Sequence, residues 1–133
     1  MIKDIIENEK YKNLVSSQIK DTMEYLIGSD EEFAITANIK GITFNPELPD
    51  SIHEQLSAFS LFILANYTYT TLELDDEHIY FEAGFGKENF GSLVKIPYNA
   101  VFQIIVDESI VFVNSTATVQ NFFNKKDQYE NSL

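Results

Sequence analysis

His78-Ile-Tyr-Phe-Glu-Ala-Gly-Phe85-Gly86, followed by Leu93-Val-Lys-Ile-Pro97-Tyr-Asn-Ala-Val101, is the stretch whose reading decides the fold. Its first part reads as a strand ending in Phe-Gly. A short loop follows, then a strand that stops at Pro97 and restarts at Ala100-Val101, because proline cannot donate to a ladder. No residue pattern in it could carry chemistry.

Working back from His78, Asp75-Asp76-Glu77 is a turn, Thr70 to Leu74 reads as strand, and Ala58 to Asn66 reads as a near-continuous apolar strand buried on both faces. Ser51 to Leu56 is a short turn of helix after the irregular Pro46 to Pro49 loop. Phe33, Ile35, Ala37 and Ile39 alternate with Ala34, Thr36, Asn38 and Lys40, the period of a half-buried strand, and Ile42 to Phe44 resumes it after Gly41. Residues 2–27 read as one amphipathic helix, with Leu14, Val15, Ile19, Met23, Leu26 and Ile27 at helical spacing and Gly28 as its stop; the first turns, with Ile2, Ile5 and Ile6, read either as part of it or as a frayed arm. Forward of Pro97, Val101 to Val106 and Ile110 to Val113 are strands joined at Asp107-Glu-Ser109. Residues 115–133 lose periodicity and read as a tail. The expected fold is α+β: the helix packed on a strongly bent antiparallel sheet or partly open β-barrel in residues 1–114, with a flexible tail over 115–133.

At 133 residues and 44% apolar composition the chain suits one domain with one core. Its net charge is −12 and all nine cations are lysine. Such a surface repels phosphate backbones and anionic lipid, and without arginine there is no bidentate phosphate or guanine contact. Neither nucleic acid nor membrane is an expected partner. The absence of cysteine excludes disulfides and thiolate metal sites. The acidic start Met1-Ile-Lys-Asp-Ile-Ile-Glu7 does not read as a signal peptide, and a cytoplasmic location is expected.

No catalytic constellation is visible, and no cofactor is expected. His53 and His78 are read as surface residues in or near turns. Asp75-Asp76-Glu77 lacks the spaced alternation and glycine of a calcium loop. Gly84, Gly86 and Gly91 lead into a strand and match neither phosphate-loop pattern, so they read as positions of positive φ, a bulge or close backbone approach. An acid- or metal-dependent hydrolase is the weakest alternative. The aromatics suggest more: Tyr67, Tyr69 and Tyr80 fall on adjacent expected strands, with Phe85 at the end of one. Singly, each is a core or half-core residue. Together they could flank an amphipathic groove beside a sheet edge, where an extended peptide adds as a strand.

Read as a series, Met23-Glu-Tyr-Leu-Ile27, Gly41-Ile-Thr-Phe-Asn-Pro46, Phe62-Ile-Leu-Ala65, Leu72-Glu-Leu-Asp-Asp-Glu-His-Ile-Tyr-Phe-Glu-Ala-Gly-Phe-Gly86, Val94-Lys-Ile-Pro97 and Asp107-Glu-Ser-Ile-Val-Phe112 resemble the stringent starvation protein B (SspB) family. These are the adaptors that deliver ssrA-tagged proteins to the ClpXP protease. The resemblance implies an Sm-like, barrel-like domain that captures an extended tag in a groove lined here by Ala65, Tyr67, Ala83, Gly84 and Phe85. It implies a homodimer whose contact includes Val15, Ile19, Met23 and Leu26, and a tail that docks on ClpX. The chain departs from the family in three places. Gly84 stands where the best-known adaptors carry arginine. Gly86-Lys-Glu-Asn-Phe-Gly91 replaces a shorter loop. The tail carries Phe122, Phe123, Lys125 and Lys126 without the family's terminal motif.

Overall fold

The computed structural model describes residues 2–118; the expectations that rest on residues 119–133, including Phe122, Phe123, Lys125 and Lys126, lie outside the described residues. The N-terminal region is two helices, α1 (Ile2–Ile6) and α2 (Glu9–Gly28), where the sequence suggested one. The break falls at Asn8, whose side-chain oxygen accepts from the N–H of Lys10 (2.9 Å) and Tyr11 (3.2 Å). That oxygen satisfies donors which a continuous helix would leave to the preceding turn, so asparagine here starts a helix and does not continue one.

The other end also differs from the reading of Gly28 as the stop. Gly28 is the last helical residue, and the left-handed position belongs to Asp30 (φ 55°). The N–H of Glu31 bonds the Leu26 carbonyl (2.9 Å) and that of Asp30 bonds the Ile27 carbonyl (3.1 Å), a Schellman closure with aspartate in glycine's usual place. Val15, Ile19, Met23 and Leu26 form the buried stripe of α2, while Leu14 and Tyr25 face outward.

The strands are β1 (Phe33–Asn38), β2 (Thr43–Asn45), β3 (Phe59–Leu64), β4 (Glu73–Leu74), β5 (His78–Phe85), β6 (Phe90–Pro97), β7 (Val101–Val106) and β8 (Ser109–Val113). Two short helices intervene, α3 (Asp50–His53) and α4 (Asn66–Thr70). The strands form two antiparallel four-stranded sheets, β3-β1-β7-β8 and β2-β6-β5-β4. β1 pairs with β7 in one sheet, and β2 pairs with β6 in the other. Between them, one turn of 3-10 helix at Ile39–Gly41 lies between β1 and β2, and another at Tyr98–Ala100 lies between β6 and β7. The two sheets are thus arms of one bent ribbon, and among the described residues no closed barrel forms. Pro97 ends β6 as its missing N–H requires.

The concave side holds the core: Phe33, Ile35, Leu64, Ile79, Phe81, Val94, Ile96 and Ile104 from the strands, closed by the α2 stripe. Phe62 and Phe81 meet edge to face at 5.4 Å and connect the arms. Tyr98 is buried at the bend, its hydroxyl donating to the Asp75 carbonyl (2.6 Å).

Three further readings change. β3 is buried on one face only, with Phe59, Leu61 and Ile63 exposed, because it is an edge strand of a sheet covered on a single side. Of the stretch read as strand from Thr70 to Leu74, Glu73 and Leu74 are strand, whereas Thr70 ends α4 (Asn66–Thr70) and Thr71 is a turn. The Thr70 and Thr71 hydroxyls donate back to the carbonyls of Tyr67 (2.6 Å) and Thr68 (2.7 Å), and the Asn66 N–H donates to Glu32 Oε2 (2.7 Å). These local and tertiary bonds outweigh the strand preference of a Tyr/Thr-rich run. The domain also extends past residue 114: Ser115–Ala117 form a 3-10 turn with Thr116 and Ala117 buried. Asn114 holds it, its amide donating to the carbonyls of Asn99 (3.1 Å) and Val101 (2.8 Å) while its oxygen accepts from Thr116.

Candidate functional site

The outer face of the β2-β6-β5-β4 sheet carries a cleft of about 600 Å³ at its glycine end. The hairpin register creates it. Gly86 (φ 72°) and Asn89 (φ 54°) shape the turn, the Asn89 N–H closes on the Gly86 carbonyl (3.1 Å), and Phe85 pairs with Phe90. Counting back one step pairs Gly84 with Gly91, so two side-chain-free positions lie abreast and expose backbone as a floor. Tyr67 and Glu82 wall one side, Leu93 and the Asn45-Pro46 segment the other, and Asn89 closes the hairpin end. A Cβ at position 84 would run into the Asn89 carboxamide, so glycine is what lets that side chain lie over the strand.

The edge of β5 beside the cleft is open. β4 pairs only with Ile79 and Tyr80. Beyond it the Glu82 N–H is taken by the Thr71 hydroxyl (2.9 Å), which shows which way the even-numbered backbone groups point. An antiparallel ladder alternates its bonding direction at each residue. The N–H and C=O of Gly84 therefore point to the same side as those of Glu82, away from β6, where no strand of the described residues pairs with them.

The cleft is acidic. Tyr67 is 67% exposed and donates its hydroxyl to Glu82 Oε2 (3.1 Å). That bond and the carboxylate's charge raise the Tyr67 pKa. Farther along β5 a second network is structural. Asp75 Oδ1 accepts from the N–H of Glu77 (2.8 Å) and His78 (2.6 Å), and its Oδ2 accepts from the Tyr80 hydroxyl (2.7 Å). The Tyr80 bond, followed by the backbone donors, lowers the Asp75 pKa to about 2. This is the turn expected at Asp75-Asp76-Glu77. Lys20 joins it to α2 through Asp76 Oδ1 (3.1 Å). His53 stands edge-on to Phe44, His78 lies against Tyr80, and among the described residues no three His, Asp or Glu side chains gather as metal ligands.

Of the residues expected to line a groove, Tyr67, Ala83 and Gly84 meet at this cleft. Ala65 does not: it lines a separate slot on the other sheet, with Leu61, Ile63 and Ile105. Phe85 turns inward against Phe44 (5.6 Å) and Phe62 (6.5 Å), so it supports the cleft from beneath. Val15, Ile19, Met23 and Leu26, expected at a dimer contact, are 0–8% exposed in the chain's own core. A partner meeting α2 would touch Leu14 and Tyr25 instead. Leu93, Asn89 and Asn45-Pro46 were missed as walls. The first two follow from counting the hairpin register outward from Gly86; the third depends on the β2-β6 pairing, which has no local signal. No family model matches the chain, and no curated protein matches it.

Among the described residues, no helix is long and apolar enough to cross a membrane.

Proposed function

We propose that the chain is a non-enzymatic peptide-capture module whose guest adds as a strand to the open edge of β5. The observation that carries this is the Gly84 backbone, which points away from β6 and beyond the β4 pairing among the described residues, beside a cleft floored by Gly84 and Gly91. Main-chain bonds supply affinity in this mode, and the cleft selects one guest side chain. Tyr67 and Leu93 offer apolar walls for that side chain, and Glu82 favours a neutral or basic one.

The sequence resemblance to SspB adaptors supports a specific form of this reading. The guest is an ssrA-like tag, the bent ribbon is an SspB-like, Sm-like domain, and residues 119–133 tether the complex to ClpXP by raising its local concentration. Homodimer formation then uses the outward face of α2. With Gly84 in place of arginine and Glu82 beside it, the tag reads as less acidic than those the best-known adaptors bind. The second reading is a peptide- or protein-binding domain of this fold without a ClpX role; the exposed apolar face of the β3-β1-β7-β8 sheet favours it, since that face offers a second partner surface.

Titration with fluorescent ssrA-type peptides, acidic, neutral and basic, tests the reading. Binding at micromolar or tighter, best for neutral or basic variants and lost in Gly84→Val, is the expected result. No binding by any variant removes the tag-capture function. Deletion of residues 119–133 abolishes ClpXP delivery while leaving peptide affinity intact; delivery that persists leaves the second reading.

A further inference from the structure

The outer face of the β3-β1-β7-β8 sheet has chemistry that the β5 cleft does not use. Leu61 and Ile63 on β3 are 57% and 68% exposed, and Ile110 and Val113 on β8 are 54% and 58% exposed. Between these strands lie Ala34 and Ile105, paired across β1 and β7. Monomeric proteins rarely leave such a contiguous apolar face bare. Its charge is uneven. At the Phe33 end, Glu32, Asp107 and Glu108 rim a slot of about 360 Å³ lined by Leu61, Ile63 and Ile105. An occupant must bring apolar side chains to the centre and positive charge to that end. A second copy brings the same acids and a net charge of −12.

The chain itself carries a segment in which two phenylalanines precede two lysines, with Asp127 and Glu130 following. The last described residues leave the sheet at its opposite end, where Asn38 Nδ2 donates to the Ala117 carbonyl (2.8 Å) and the Asn114 N–H to the Phe102 carbonyl (2.8 Å). From Asn38 to Phe33 the face is about 17 Å long at the usual strand rise. Phe122 and Phe123 follow Thr118 by four and five residues, and Lys125 and Lys126 by seven and eight. An extended chain covers about 13–18 Å in the first span and about 23–28 Å in the second. The order aromatic, then basic along the chain thus matches the order apolar centre, then acidic rim along the sheet. A linker this short also supplies an effective concentration on the order of millimolar, so even a weak contact would be largely closed.

We propose that residues 119–133 dock across the outer face of the β3-β1-β7-β8 sheet, with Phe122 and Phe123 on its apolar centre and Lys125 and Lys126 at the Glu32, Asp107 and Glu108 rim. While docked, the segment covers this face and is withheld from other partners. The inference does not depend on what fills the β5 cleft.

Because the chain has no cysteine, a nitroxide on full-length Asn124→Cys is a single label. The expected result is loss of the amide signals of Ala34, Leu61, Ile63 and Ile105, with those of Leu93 and Lys95 on the other sheet unchanged. Ile63→Lys restores the lost signals. Phe122→Ser with Phe123→Ser, outside the described residues, must restore them too. Broadening that is absent, or equal on both sheets, overturns the proposal. Broadening that appears in isotope-labelled chains mixed with spin-labelled, unlabelled ones overturns it in favour of a second copy.

Discussion

The two sheets are arms of one ribbon, with the same strand number and the same alternation, yet their outer faces are opposites. The β3-β1-β7-β8 face shows Leu61, Ile63, Ile110 and Val113 to solvent. The β2-β6-β5-β4 face shows Gly84 abreast of Gly91, with Tyr67 and Glu82 above them. The first can recognise a partner by covering side chains, a contact that is not directional. The second presents backbone, whose hydrogen bonds are directional and fix a register. One shared core thus carries two exteriors of unlike chemistry.

Phe81→Ala puts the shared core to the strongest test. Phe81 is fully buried on β5 and meets Phe62 of β3. Its truncation costs about 3–5 kcal/mol of unfolding free energy. Denaturant unfolding followed by probes on both arms should shift together; a shift confined to the β5 arm would show that the sheets unfold separately and would end the view of them as one unit.

Gly84→Val acts on one face alone. The added side chain displaces the exposed Asn89 carboxamide and fills the floor of the cleft, so peptide binding is lost while stability changes by about 0.5 kcal/mol or less. Gly84→Ala combined with Asn89→Gly takes away the displaced group, and residue 89 already sits at positive φ. Calorimetry of both variants checks this. A Gly84→Val protein that still binds the peptide at full affinity would place the guest elsewhere.

The smallest effect concerns the turn that positions β4 and leaves the rest of β5 open. Asp75 has its pKa lowered from 3.8 to about 2, first by the Tyr80 hydroxyl and then by backbone donors. A depressed folded-state pKa means that the contribution is present above 3.8 and is lost as pH falls toward 2. Tyr80→Phe removes the leading cause, so the acid-side loss of stability between those values becomes shallower. Unfolding curves at several pH values in that window measure it, and an unchanged slope would assign the acid sensitivity to other carboxylates.

Several of these elements were legible without coordinates. His78–Phe85 and Val101–Val106 occupy the residues read as strands, and Pro97 ends β6 as expected. Each has a full-length local signal: period-two alternation, a glycine turn or a proline stop. The helix break at Asn8 and the cap at Asp30 were missed because asparagine and aspartate are ambiguous in a string; each becomes a cap only when a backbone group is free to bond it. α4 was missed because Tyr67 to Thr71 favours strand, and only Glu32, brought close by the β1-β3 pairing, offers the acceptor that Asn66 uses. Of the groove residues named from sequence, Tyr67, Ala83 and Gly84 line the cleft, whereas Ala65 lies on the other sheet and Phe85 packs inward, because the face each takes is set by tertiary contacts.

Periodicity along the chain specifies which residues share a face of a strand, because side chains alternate at every step. It therefore yielded the α+β class and the strands at His78–Phe85 and Val101–Val106. It does not say which face will be covered. That choice was made where α2 and the bend at Pro97 to Ala100 closed one side of each arm, burying the α2 stripe, turning Phe85 inward and leaving Leu61, Ile63 and the Gly84 backbone outside. Covering a face is a long-range event between segments far apart in sequence, and no local pattern encodes it.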